Sequence, residues 1–64
     1  MQTTNFVLYR ISAPHFVAGI IQDTETSQIT DAAPILRYMV GWNIEKVLDY
    51  VERKRWEMEI IERE

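Results

Sequence analysis

Four residues of this chain have side chains suited to holding a small anionic ligand: Arg10, His15, Arg37 and Trp42. An arginine can bind a phosphate or a carboxylate through two parallel hydrogen bonds. A tryptophan offers an aromatic face on which a base can stack. If these side chains converge near the turn at residues 12–15, they form a site for a nucleotide-like anion, and we predict the ligand site there.

The chain offers little for catalysis or metal binding. It has one histidine and no cysteine, and no spacing typical of metal ligands links that histidine to carboxylates. A serine, His15 and Asp23 contain the groups of a catalytic triad, but no serine lies in the glycine-flanked turn that presents a nucleophile. The two glycines lie too far apart for a phosphate-cradling loop. We therefore expect no enzymatic activity, no metal and no cofactor.

Size and composition predict one small domain over residues 1–64. The chain is 47% apolar, which is too hydrophobic for a disordered protein. A domain of about 60 residues buries only about 60% of its unfolded surface, which leaves its stability marginal. Its apolar runs are too short to span a membrane, and residues 1–5 lack the positive charge of a signal peptide. We expect a cytoplasmic protein without membrane contact.

The charges argue against binding to nucleic acid. The formal net charge is −3, and glutamates flank the one dense basic cluster, Arg53-Lys54-Arg55. A helix–Gly41-Trp42-Asn43–helix segment is similar to a helix-turn-helix. The exposed residues predicted for its second helix carry a net charge of −1, whereas a recognition helix presents cations and amides to DNA. Nucleic-acid binding through this hairpin stays an alternative function.

The apolar spacing predicts the elements that carry these residues. Alternation predicts strands over residues 5–12, 15–22 and 28–30. Apolar residues at helical spacing predict one helix over residues 31–41 and a second that begins after Asn43. Residues 56–62 fit either a last strand or a continuation of the second helix. The predicted fold is α+β: a small antiparallel sheet of three to four strands with a two-helix hairpin on one face, in the order β-β-β-α-α-β.

Large apolar residues occupy both faces of the predicted sheet. An antiparallel sheet with one face in water alternates apolar with polar residues, and a short helical hairpin can cover only one face. We therefore predict that a second copy covers the other face in a homo-oligomer, most simply a twofold dimer. The residues assigned to this interface are Phe6, Leu8, Phe16 and Ile20.

Two sequence blocks, residues 13–19 (APHFVAG) and 32–41 (AAPILRYMVG), resemble small proteins encoded by bacteriophages and prophages, which are mostly uncharacterised. The resemblance covers roughly residues 6–61. It implies an accessory protein made in a bacterial cell, with a final strand that begins with a tryptophan after a glycine; here Arg55 precedes Trp56. The expected function is a non-enzymatic binding module acting as a homo-oligomer, which inhibits a host protein or sequesters a small anionic signal. A small structural or assembly factor of a virion is an alternative.

Overall fold

A computed structural model describes residues 5–63 as a four-stranded antiparallel sheet with a helical layer on one face. A 3₁₀ helix (Pro34–Met39) and α1 (Ile44–Lys54) form that layer. The strands follow the order β3-β2-β1-β4 across the sheet, with the bounds β1 (Phe6–Ala13), β2 (Phe16–Asp23), β3 (Gln28–Ala32) and β4 (Glu57–Arg63). Residues 1–4, on which the prediction of no signal peptide partly rests, lie outside the described residues. No helix within residues 5–63 is long and apolar enough to cross a membrane.

A two-residue turn sets the register of the central hairpin. Ala13 pairs with Phe16 across this turn, so every even-numbered residue of β1 stands opposite an odd-numbered residue of β2. Residues directly opposite each other share a face of the sheet. Leu8 therefore shares its face with Ile21, while Phe16 and Ile20 point to the other face. The predicted grouping of Leu8 with Phe16 and Ile20 on one face is wrong for this reason.

The predicted two-helix hairpin is also wrong, because only one α-helix forms. Residues 31 and 32, which were expected to open the first helix, end β3, and only six residues remain for a 3₁₀ helix. The N–H of Leu36 donates to the carbonyl of Ala33 at 2.8 Å, three residues back. In this geometry every third residue returns to the same side, so Leu36 and Met39 are buried while Ile35 is exposed. The helix-turn-helix alternative loses its first helix with this correction.

Local sequence sets both ends of α1. The Asn43 side chain accepts a hydrogen bond from the N–H of Glu45 at 2.8 Å, which satisfies one of the free donors at the helix start. Val47 and Val51 face the sheet. The helix ends where Arg55 takes a left-handed conformation, with φ 61° and ψ 33°. This turn redirects the chain, so residues 57–63 return along β1 as a strand instead of continuing the helix.

The core lies between the sheet and the helical layer. Its fully buried large side chains come from three strands and both helical elements: Ile11, Ile20, Ile29, Leu36, Met39 and Val47. Gln22 is also buried, and its Oε1 accepts a hydrogen bond from the Tyr9 hydroxyl at 2.7 Å. That bond offsets the cost of burying the amide. Burial raises the pKa of Tyr9 above 10, and the Arg63 guanidinium partly opposes this rise.

Candidate functional site

The face of the sheet that carries no helix, called here the open face, has an apolar stripe formed by Phe6, Leu8, Val17 and Ile21. Leu8 stands opposite Ile21, and Val17 opposite Ser12, which places these side chains on two adjacent strands. Val17 is 64% exposed. Phe6 and Ile21 also line a concave pocket of about 330 Å³ at one end of the face. The stripe is therefore an accessible apolar surface at the centre of the sheet.

Carboxylates border the apolar stripe on both sides. On the β4 side, three glutamates stand opposite open-face residues of β1. On the other side, Asp31 of β3 stands opposite Ile21, and Asp23 at the end of β2 stands opposite Phe6. This carboxylate frame consists of Asp23, Asp31, Glu57, Glu59 and Glu62. Arg10 is the only cation among the described residues that these pairings place on the open face, and it forms an ion pair with Glu59. Five carboxylates and one guanidinium give the open face a formal charge of −4.

On the helical side of the molecule, six aromatic rings form a continuous series of edge-to-face contacts. Neighbouring ring centroids lie 5.2 to 5.9 Å apart, the geometry that aromatic quadrupoles favour. This aromatic row runs in the order His15, Phe16, Trp56, Tyr50, Trp42 and Tyr38. The row joins the β1–β2 turn to the 3₁₀ helix across α1, so residues far apart in sequence form one surface.

Two lysines of α1 lie on the aromatic row. Lys46 Nζ is 4.3 Å from the centroid of the Trp42 ring, and Lys54 Nζ is 5.6 Å from that of Tyr50. Both distances fall within the range of cation–π attraction. Residues four apart on an α-helix lie only about 40° apart around its axis, so Lys46, Tyr50 and Lys54 share one side of α1. The aromatic row therefore carries two positive charges, opposite in sign to the net charge of the open face.

The other flank of α1 is acidic. Glu45 and Glu52 lie on either side of Leu48, which is 49% exposed. Asp49 and Arg53 separate the two flanks and form an ion pair at 3.0 Å. The positive charges of Lys46 and Lys54 and the negative charges of Glu45 and Glu52 thus lie on different flanks of α1.

The hydroxyl of Tyr38 donates a hydrogen bond to that of Tyr50 at 3.1 Å. Burial and this hydrogen bond together raise the pKa of Tyr38 to about 12, because both favour the protonated phenol. The pair ties the 3₁₀ helix to α1 at one end of the aromatic row.

The structure does not bring the predicted anion-binding residues together. Arg10 lies on the open face, while Trp42 lies on the helical side within the aromatic row. His15 belongs to the same row, but three other rings separate it from Trp42. Arg37 is exposed on the 3₁₀ helix. One chain therefore does not assemble the four residues into a single pocket.

The predicted interface residues divide between the two sides of the sheet. Phe6 and Leu8 belong to the apolar stripe of the open face. Phe16 lies in the aromatic row, and Ile20 is fully buried beneath the helical layer. Val17 and Ile21 complete the open face, and the two-residue turn between the strands is the sequence signal that identifies them.

Residues that resembled a catalytic or metal set are also dispersed. His15 precedes β2 and Asp23 ends it, which separates them by about 25 Å of extended strand. Within residues 5–63 no group of three histidine, cysteine, aspartate or glutamate side chains is placed to hold a metal ion.

The aromatic row and the carboxylate frame are the features that sequence analysis missed. The row had a signal in the four-residue spacing of Trp42, Lys46, Tyr50 and Lys54. The frame had none, because strand pairing alone brings its members together.

No family model, curated protein or solved structure matches this chain. The resemblance to bacteriophage proteins stays a prediction that rests on the two sequence blocks.

Proposed function

We propose that this protein is a non-enzymatic binding module that acts as a homo-oligomer, binds a partner protein and inhibits it. The observation that carries the proposal is the apolar stripe of the open face, which no element of the described chain covers. Burying a large apolar side chain contributes about 1.5–3 kcal/mol. In so small a domain, the burial of a few such side chains contributes a free energy comparable to the whole free energy of unfolding.

A protein target fits the geometry better than a small anion does. A small anion would need charged side chains that converge in one pocket, whereas Arg10 and Trp42 lie on opposite sides of the sheet. The surfaces that the fold does offer are broad: an acidic and apolar sheet face, and an aromatic row with lysines. The resemblance to bacteriophage proteins supports a host protein as the target and the bacterial cytoplasm as the compartment.

Sedimentation equilibrium at micromolar concentration tests the oligomer. We expect a mass that is a multiple of the 7.6 kDa chain. Leu8→Lys and Val17→Lys place a charge within the apolar stripe and should dissociate the assembly. Leu48→Lys is the matched control, because it changes an equally apolar, half-exposed residue on the acidic flank of α1. A wild-type mass of 7.6 kDa would contradict the proposal.

Native mass measurement of the protein taken directly from expressing bacterial cells tests the partner. A mass increment on top of the subunits that matches a bacterial protein supports binding to a host protein. Bare subunits at a concentration where the oligomer is intact would count against it.

A further inference from the structure

We infer that the copies associate head to tail: the open face of one copy docks on the aromatic row of the next. This inference rests on the proposed homo-oligomer and specifies which two surfaces form its interface. It follows from the opposite charges that the fold places on two opposite sides of one small sheet.

A face-to-face pairing of two open faces is electrostatically unfavourable. The carboxylate frame runs along both the β3 side and the β4 side of the stripe. Whichever in-plane twofold axis relates the two copies, carboxylates of one copy meet carboxylates of the other. Each copy contributes a formal charge of −4, with Arg10 as its only described cation. Like charges that meet in an interface oppose association and select against that partner.

The aromatic row has the complementary composition. It presents half-buried rings that offer apolar area to the stripe, and Lys46 and Lys54 supply the positive charge. Aromatic residues at the centre of a contact and opposite charges at its border are typical of specific protein interfaces.

The spacing of the charges also matches. Lys46 and Lys54 are two turns apart on α1, about 12 Å along the helix axis. Glu57 and Glu62 lie at either end of the β4 side of the frame, about 15 Å apart along the strand. Lysine side chains are long and flexible enough to close the difference. The two lysines of one copy can therefore reach the two glutamates of the next.

Head-to-tail association uses two different surfaces of each copy. Such contacts form a ring when the rotation between neighbours closes, and a filament when it does not. A copy that has lost only one of the two surfaces can still engage a neighbour through the other. A symmetric face-to-face dimer has no such property, because one substitution removes the contact from both sides.

Mixing two defective variants tests the inference. Lys46→Gln with Lys54→Gln removes the charge of the aromatic row, and Glu57→Lys with Glu62→Lys reverses the frame on the β4 side. A neutral row does not complement the reversed frame, so a mixture of the two variants can form only the contact between the intact frame of one and the intact row of the other. We expect each double variant alone to sediment at 7.6 kDa and their equimolar mixture to form a 1:1 dimer of twice that mass. Glu45→Lys with Glu52→Lys is the control, since it makes the same charge change as the variant of Glu57 and Glu62, but on the outer flank of α1, and should leave the wild-type mass unchanged.

The outcomes separate this inference from the proposed function. A monomeric wild type overturns the homo-oligomer itself. An oligomeric wild type whose double variants both keep the wild-type mass, or whose mixture stays monomeric after circular dichroism shows both variants folded, overturns only the head-to-tail arrangement.

Salt gives a second readout that needs no variant. At 1 M salt the screening length falls to about 3 Å, so we expect the dissociation constant of the wild-type oligomer to rise at least about tenfold above its low-salt value. A dissociation constant that salt leaves unchanged or lowers would exclude charge pairing between the frame and the row.

Discussion

Arg55→Gly measures the strain at the end of α1. Arg55 has φ 61° and ψ 33°, and its N–H donates to the carbonyl of Glu52 at 3.0 Å. A residue with a Cβ loses about 1–2 kcal/mol in this left-handed conformation. Glycine adopts it freely but loses about 0.5–1 kcal/mol more conformational entropy on folding. The difference predicts that glycine stabilises the fold by about 0.5–1 kcal/mol.

Thermal unfolding followed by circular dichroism is the assay, at one protein concentration because association makes Tm concentration-dependent. In a domain of this size, 1 kcal/mol shifts Tm by about 4–8 °C, so Arg55→Gly should melt about 2–8 °C above the wild type. Arg55→Ala is the matched control, since it removes the same guanidinium but keeps the Cβ. A Tm for Arg55→Gly no higher than that of Arg55→Ala would refute the reasoning, because the two variants differ only in that atom.

Three further predictions concern single side chains. Asn43→Ala should lower the free energy of unfolding by about 1 kcal/mol through loss of the helix cap, while Asn43→Asp should keep it; equal losses in urea unfolding would show that the cap contributes nothing. Leu36→Ala should cost about 2–5 kcal/mol, because it empties a fully buried site, and a cost below about 1 kcal/mol would show that the 3₁₀ helix does not hold the core. Tyr38→Phe should remove a step near pH 12 from the tyrosinate absorbance titration. The raised pKa means that this hydroxyl stabilises the fold fully below pH 10 and loses that contribution as the pH rises to about 12; an unchanged titration of the variant would contradict the assignment.

Short-range pattern was sufficient where an element depends on its own residues. Alternating apolar residues mark β1 and β2 because a strand turns successive side chains to opposite faces. Asn43 marks the start of α1 because its side chain satisfies a donor two residues away. The prediction of a first α-helix was wrong because short-range pattern was not sufficient there: the spacing of Leu36 and Met39 fits both an α-helix and a 3₁₀ helix. The choice between them depended on β3 taking up residues 31 and 32.

To predict which residues share a face of the sheet, the length of the turn between β1 and β2 must also be known. The two residues between β1 and β2 place Leu8 beside Ile21; one residue more would have placed it beside Ile20. The assignment of Phe16 and Ile20 to the open face was wrong because alternation reveals which residues of one strand share a side, but not how two strands align.

By itself the sequence determined the first three strands, the cap of α1 and the presence of more apolar surface than one helical layer can cover. Only the tertiary structure decided that residues 57–63 form the last strand, that the apolar surface lies within a border of carboxylates, and that six aromatic rings form a row on the opposite side. The physical reason is distance along the chain. The frame joins residues of three strands, and the row joins the β1–β2 turn, the start of β2, both helical elements and two linkers. The charges and rings therefore become neighbours only when the strands pair and the chain folds back on itself.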